Sequence, residues 1–281
     1  MLIVLKGADF SANKIGVISI PRTSLNVTTT AILAAYTKVM TVDKQNAFDD
    51  FIIGLKNSGI WNKIAFAYFP FLANSVTEAL YEAKIGTPKS ATLNAASLQT
   101  AYILDSYGLK TSAWVSADGL SQTPLQYTYG VNTNSFFIAL LSKGNSTSLF
   151  GASLDVASYM GLNGSILLGT VASGIRKTTQ VTISPSYNTV IGNSRTPANL
   201  NSSIDLMVNG VLTTTEENLG TTYVNPVLNI KKIGIATGGN YGQYFYNTRP
   251  VSVQLIGSEL TISEITTLNT ALQTLNNKII L

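Results

Sequence analysis

Cysteine and histidine are both missing from the 281 residues. Without cysteine there is no disulfide, no thiolate metal ligand and no thiol nucleophile. Without histidine the chain lacks the side chain that most often moves protons near neutral pH and most often ligates a transition metal. The two gaps remove most enzyme classes, so no enzymatic activity, no cofactor and no metal are expected. Charge is scarce as well, at 11% of residues, with a formal net charge of +4. Arg176-Lys177 and Lys231-Lys232 are the only basic doublets, too dispersed a pattern for a nucleic-acid footprint. No apolar run reaches the roughly 18 residues that would cross a bilayer, so no membrane partner is expected. The apolar start, Met1 to Leu5, is shorter than the core of a signal peptide.

What fills the chain instead is neutral polarity on an apolar background. Hydrophobic residues make up 45%, and Asn, Ser and Thr together account for 84 positions. That hydrophobic share excludes disorder, and a threonine excess favours strands. Short apolar or alternating runs follow one another from residue 101 to residue 256, separated by turn residues such as Asn163-Gly164, Ser184-Pro185 and Gly192-Asn193. Many short strands at such spacing predict an antiparallel sandwich or barrel. Before them, Thr30 is placed to cap a helix carrying Ile32, Ala35, Tyr36 and Val39. Phe48, Phe51, Ile52 and Leu55 form one helical face that ends at Gly59. Ser75 and Glu78 have the spacing of a capping box for a helix running on to Gly86.

The last third carries the sharpest local signals. Asn209-Gly210 supplies the two positive-φ residues of a type I′ turn, with Ile204, Leu206 and Val208 alternating ahead of it as one buried face. After the strand 250–257, Ile265, Leu268, Leu272, Leu275 and Ile279 step by three and four. Thr261 and Glu264 stand at capping-box spacing in front of them. Hairpin, strand and capped helix in this order resemble the C-terminal end of concanavalin-like β-sandwiches. The expected fold is therefore mainly β: a concanavalin-like antiparallel jelly-roll sandwich over 46–281, with helical embellishment at 46–86, a C-terminal helix and an N-terminal attachment arm at 1–45.

Three blocks extend the resemblance: LKGADFSANKIGVI near the N-terminus, the stretch from Phe48 to Gly86, and IGSELTISEITTLNTALQTL at the end. Together they resemble virion structural proteins of tailed bacteriophages of the crAss-like type. The resemblance implies a non-enzymatic head fibre, tail fibre or capsid decoration in the virion, partnered by other capsid or tail proteins and forming a homo-oligomer. The alternative is a carbohydrate-binding adhesin of the tail that takes a host-surface glycan.

Glycoside hydrolysis needs two carboxylates held at a set separation. No Glu-x-Asp strand motif occurs, and the adjacent Glu216-Glu217 fit a solvated turn. Asp118, Asp155 and Asp205 are isolated along the chain, which argues against a calcium cluster. One segment joins glycines to stacking rings and amides: a loop at 238–247 with Asn240, Tyr241, Gln243, Tyr244 and Tyr246 as candidate ligand-binding residues.

Overall fold

The computed structural model describes residues 24–84, 102–111, 127–128, 136–143, 151–155, 158–162, 166–170, 175–179, 187–195, 201–218, 229–230, 237–240, 243–246 and 250–280. The chain opens with α1 (Val27–Ala34), α2 (Val42–Asn57), the single turn α3 (Ile60–Lys63), β1 (Ile64–Tyr68), a 3-10 turn at Pro70–Leu72 and α4 (Val76–Ala79). Next come β2 (Tyr102–Asp105), β3 (Gly108–Thr111), β4 (Tyr127–Thr128), β5 (Phe136–Lys143), β6 (Gly151–Asp155), β7 (Ser158–Leu162), β8 (Ile166–Thr170) and β9 (Ile175–Thr179). The remaining strands are β10 (Tyr187–Arg195), β11 (Asn201–Val208), β12 (Val211–Asn218), β13 (Asn229–Ile230), β14 (Thr237–Asn240), β15 (Gln243–Tyr246) and β16 (Val251–Ser258). Helix α5 (Ile262–Leu275) closes the fold. The expected class, mainly antiparallel β with short helices ahead of the strands and one helix at the end, is the class observed.

Eight strands form the main sheet, in the order β12-β11-β10-β5-β16-β3-β2 with β1 also on β16. β5 runs along one edge of β16; on the other edge β3 meets Val251 and β1 pairs with residues 254–257. Strands β6 to β9 make a four-stranded meander in sequence order. Consecutive residues 137–142, 187–193 and 251–257 are all buried, so both faces of the central strands are covered, as a layered sandwich requires. Helix α5 lies against α2, β10 and β11. It presents Ile265, Leu268, Leu272 and Leu275, all buried as their spacing predicts. From α2, Phe48 and Phe51 meet Phe69, with the Phe48–Phe69 ring centroids 5.1 Å apart and edge to face.

Several local expectations are corrected by tertiary contacts. Helix α1 is capped by Asn26, not Thr30. The Asn26 side chain accepts from Thr28 N, its own backbone N–H donates to Asp49 Oδ1, and Lys56 Nζ donates to its Oδ1. Contact with α2 thus sets where α1 begins. Val39, expected beside Ile32 and Tyr36, lies beyond the helix and is 94% exposed, whereas Ile32, Tyr36 and Met40 enter the common core.

Helix α4 stops after four residues. The chain leaves it because Ala83 N–H donates to Ala67 O, and Ala67 N–H donates to the buried Glu82 carboxylate, which ties the strand edge to the segment the helix would have used. Gly192-Asn193, expected as a turn, sits inside β10; Glu216 and Glu217 lie in β12 and not in a turn. On β11 the alternation fails, since Asp205 and Met207 are buried along with Leu206 and Val208. Residues 1–23 of the proposed arm lie outside the described residues.

The turn at Asn209-Gly210 has the expected positive φ values, 52° and 89°. The Thr261–Glu264 capping box is complete, and Lys63 Nζ adds a 2.7 Å ion pair to Glu264. Burial pushes the Glu264 carboxyl up, but hydrogen bonds from Lys63 and Thr261 outweigh it and hold it below the usual carboxylate range. A folded pKa below the unfolded one means a stabilising contribution that is present above the ordinary value of about 4.3 and lost as pH falls through the folded value. Glu264→Gln is therefore expected to lower Tm at neutral pH, with the deficit shrinking as the pH is taken below about 4. Thermal melts across that range check it, and a deficit independent of pH would contradict it.

Candidate functional site

A cleft of about 430 Å³ opens where the segment joining α1 to α2 meets the β2–β3 turn and the end of the α5 region. Its walls are built from segments far apart in the sequence. Tyr36 and Met40 are buried, four residues apart, and pin the connecting segment to the core, which leaves Lys38 and Val39 facing outward between them. Lys38 Nζ donates to Phe71 O at 2.8 Å, tying this segment to the 3-10 turn after β1. Thr41 caps α2. One turn in, Lys44 Nζ donates to Ile279 O at 2.7 Å and brings the chain's far end to the cleft.

The third wall is the Ser106-Tyr107 turn. Asp105 Oδ1 accepts from Tyr107 N and Gly108 N, which makes an Asx turn. Gly108, at φ 147°, comes so close to the Val251 backbone that a Cβ would collide with it. Ser252 Oγ donates to Tyr107 O at 2.6 Å and fixes the turn to β16. The Tyr107 ring carries the Lys143 ammonium 2.9 Å from its centroid and meets the Tyr187 ring edge-on at 6.0 Å.

Two lysines and no carboxylate appear among the described residues lining the cleft. Burial, followed by the charge of Lys44, pulls the Lys38 pKa below its ordinary value. Hydroxyls come from Thr41 and Ser106, a ring face from Tyr107, and apolar surface from Phe71, Val39, Met40 and Ile279. This mixture of convergent polar groups and apolar wall is the usual make-up of a small-molecule site.

The buried acids are engaged elsewhere. Glu82 accepts from Ala67 N and Lys84 N, Asp49 from Asn26 N, and Asp205 from Asn193 and Thr214. Among the described residues, no group of three His, Cys, Asp or Glu side chains could hold a metal ion, and no helix is long and apolar enough to cross a membrane.

Of the residues singled out in the sequence, Asn240, Gln243, Tyr244 and Tyr246 belong to the hairpin β14–β15, and Tyr241 lies outside the described residues. The backbone there is paired, Asn240 with Gln243, Gly239 with Tyr244 and Thr237 with Tyr246, so the expected loop is a hairpin. β14 lies beside β6 and β7. No described lining residue of the cleft comes from this hairpin. Lys38, Lys44, Ser106 and Tyr107 were missed by sequence reasoning. The one available signal was Asp105-Ser106-Tyr107-Gly108, the composition of a tight turn.

No protein-family model and no curated protein matches the chain. Among solved structures it is similar to a trans-sialidase-active mutant of the Trypanosoma rangeli sialidase, at 12% identity over 82% of this chain and 39% of that one, TM-score 0.45. It is similar also to the Ruminococcus gnavus IT-sialidase CBM40 bound to α2,6-sialyllactose, at 12% identity over 53% of this chain and 97% of that one, TM-score 0.33. A third similarity is to the Caenorhabditis elegans galectin LEC-6, at 14% identity over 48% of this chain and 91% of that one, TM-score 0.29.

Proposed function

We propose that this protein is a non-enzymatic structural component of a tailed-phage virion whose sandwich presents a carbohydrate-binding surface, as a head fibre, capsid decoration or tail protein. The carbohydrate part rests on one observation, the cleft at Lys38, Thr41, Lys44, Ser106 and Tyr107. Its hydroxyl and ammonium donors suit sugar hydroxyls, and its aromatic and aliphatic surface suits the apolar face of a pyranose ring. The virion part rests on the sequence resemblance alone. The non-enzymatic reading is supported by the buried acids among the described residues, each of which is committed to hydrogen bonds within the fold.

A glycan array probed with the purified chain tests the binding. Binding is expected to survive Tyr241→Ala with Tyr244→Ala and to be lost in Ser106→Trp, which fills the mouth of the cleft from an exposed turn position. The opposite pattern would move the site to the β14–β15 hairpin. No binding by any variant, wild type included, would remove the carbohydrate reading. For the virion reading, quantitative mass spectrometry of purified particles is expected to find the chain in many copies. Absence from the particles would remove that reading.

A further inference from the structure

Resting on the carbohydrate reading of the cleft, we infer that its ligand is an anionic sugar whose carboxylate sits between Lys38 and Lys44. Each ammonium reaches the cleft from a separate element and is held there by a backbone carbonyl, Phe71 O for Lys38 and Ile279 O for Lys44. A carbonyl oxygen takes one of the three protons that an ammonium can donate, and it does not neutralise the charge. The two cations are close enough for Lys44 to depress the affinity of Lys38 for its proton, an effect added to that of burial. A chain with this little charge has placed two like charges on one concave wall, with no acid among the described residues of that wall.

The neighbouring acid Asp105 does not supply the missing charge. One of its oxygens takes the two backbone donors of the turn, and the other pairs with Lys110 at 3.3 Å. Lys143 lies over the Tyr107 ring, so a further positive charge stands behind the wall. Repulsion of this kind in a partly desolvated site is relieved by an anion, and charge-assisted hydrogen bonds to a carboxylate are roughly twice as strong as neutral ones. The rest of the lining limits what the anion is attached to. Tyr107, Phe71 and the exposed Val39 offer apolar surface for a ring, and Thr41 and Ser106 offer hydroxyls for its polar edge. A volume of about 430 Å³ accommodates one or two sugar rings, not a long polymer.

The test uses the whole chain and a panel of uronic-acid and other carboxylated oligosaccharides, each printed beside its carboxyl-methyl ester, with affinities for the best binders taken by calorimetry. The ester keeps shape and hydroxyls and removes the charge. Acids are expected to bind about tenfold or more tightly than their esters, the strength that one charge-assisted contact supplies. Lys38→Gln and Lys44→Gln, each of which removes a positive charge and retains an amide donor, are each expected to lower acid affinity about tenfold and ester affinity much less, so that the preference for acid over ester collapses. Raised salt should weaken the acids alone. Equal binding of acid and ester, or full acid binding by the double variant, would overturn the inference and leave the carbohydrate reading intact. Binding of inorganic sulfate with no binding of any sugar would overturn both.

Discussion

Asn193→Leu is expected to destabilise the protein by about 2–4 kcal/mol, since each buried polar group left without a partner costs about 1–3 kcal/mol. Asn193 is fully buried in β10, and its amide joins three elements. Its Nδ2 donates to Asp205 Oδ2 at 3.0 Å and to Leu260 O at 2.9 Å, while Oδ1 accepts from Leu260 N at 2.7 Å. Leucine has the same branched heavy-atom skeleton with bulkier ends, so the loss comes from unpaired polar groups and some overpacking and not from a cavity. The Leu260 backbone loses both of these bonds, and Asp205 keeps Thr214 but loses the Asn193 donor. Asp205→Asn keeps one acceptor, its Oδ1, for the Asn193 amide and turns the other arm into a donor that the Thr214 hydroxyl can rotate to accept, so it is expected to lose much less. Urea unfolding with an unchanged m-value measures both, and a loss under about 1 kcal/mol for Asn193→Leu would show that the bridge from β10 to the β16–α5 connection is dispensable.

Gly257→Val is expected to cost about 3 kcal/mol, by overpacking where β16 leaves no room for a side chain. A Cβ at Gly257 would collide with Lys63 O and stand 2.7 Å from Phe137 Cε1 and 2.9 Å from Ile64 Cα. None of these can step aside. Ile64 is the pairing partner of Gly257, Phe137 is fully buried in β5, and Lys63 is held to α5 through Glu264. The damage should centre on β1, so faster hydrogen exchange at its amides is expected ahead of global unfolding. Gly54→Ala is the matched control, because a Cβ there meets nothing within 4 Å and the position is helical. It should stabilise by roughly 0.5–1 kcal/mol. A Gly257 variant as stable as the wild type would show that β1 is free to withdraw from β16.

If the cleft is the site, its residues explain why a sequence reader looks elsewhere. Tyr241, Tyr244 and Tyr246 stand close together in a glycine-rich stretch, and local density of aromatic residues is what a reader can see. Lys44 and Ile279 are 235 residues apart, joined only when α5 packs on α2. Tyr107 was one tyrosine among 13 until its turn came to rest beside β16.

Elements that depend on nearest neighbours were determined by the sequence itself. The α2 and α5 faces, the Thr261–Glu264 box, the left-handed Gly59 and the Asn209-Gly210 turn appear as their spacing predicts, because helix periodicity, capping and positive φ are settled within a few residues. The mainly β class followed for the same reason, as many short strands between turns leave few other ways to bury apolar surface. Tertiary structure alone decided the rest. Asn193 has the side chain of a turn former, yet it lies in a strand because Leu260 and Asp205 supply partners that a turn would have found in its own backbone. Ser75 starts a helix that Glu82 and Ala83 end early, since pairing with Ala67 closes an open edge of β1. The cleft belongs to this second group: its charge, depth and chemistry exist only where residues 38–44, Phe71, Ser106-Tyr107 and Ile279 meet.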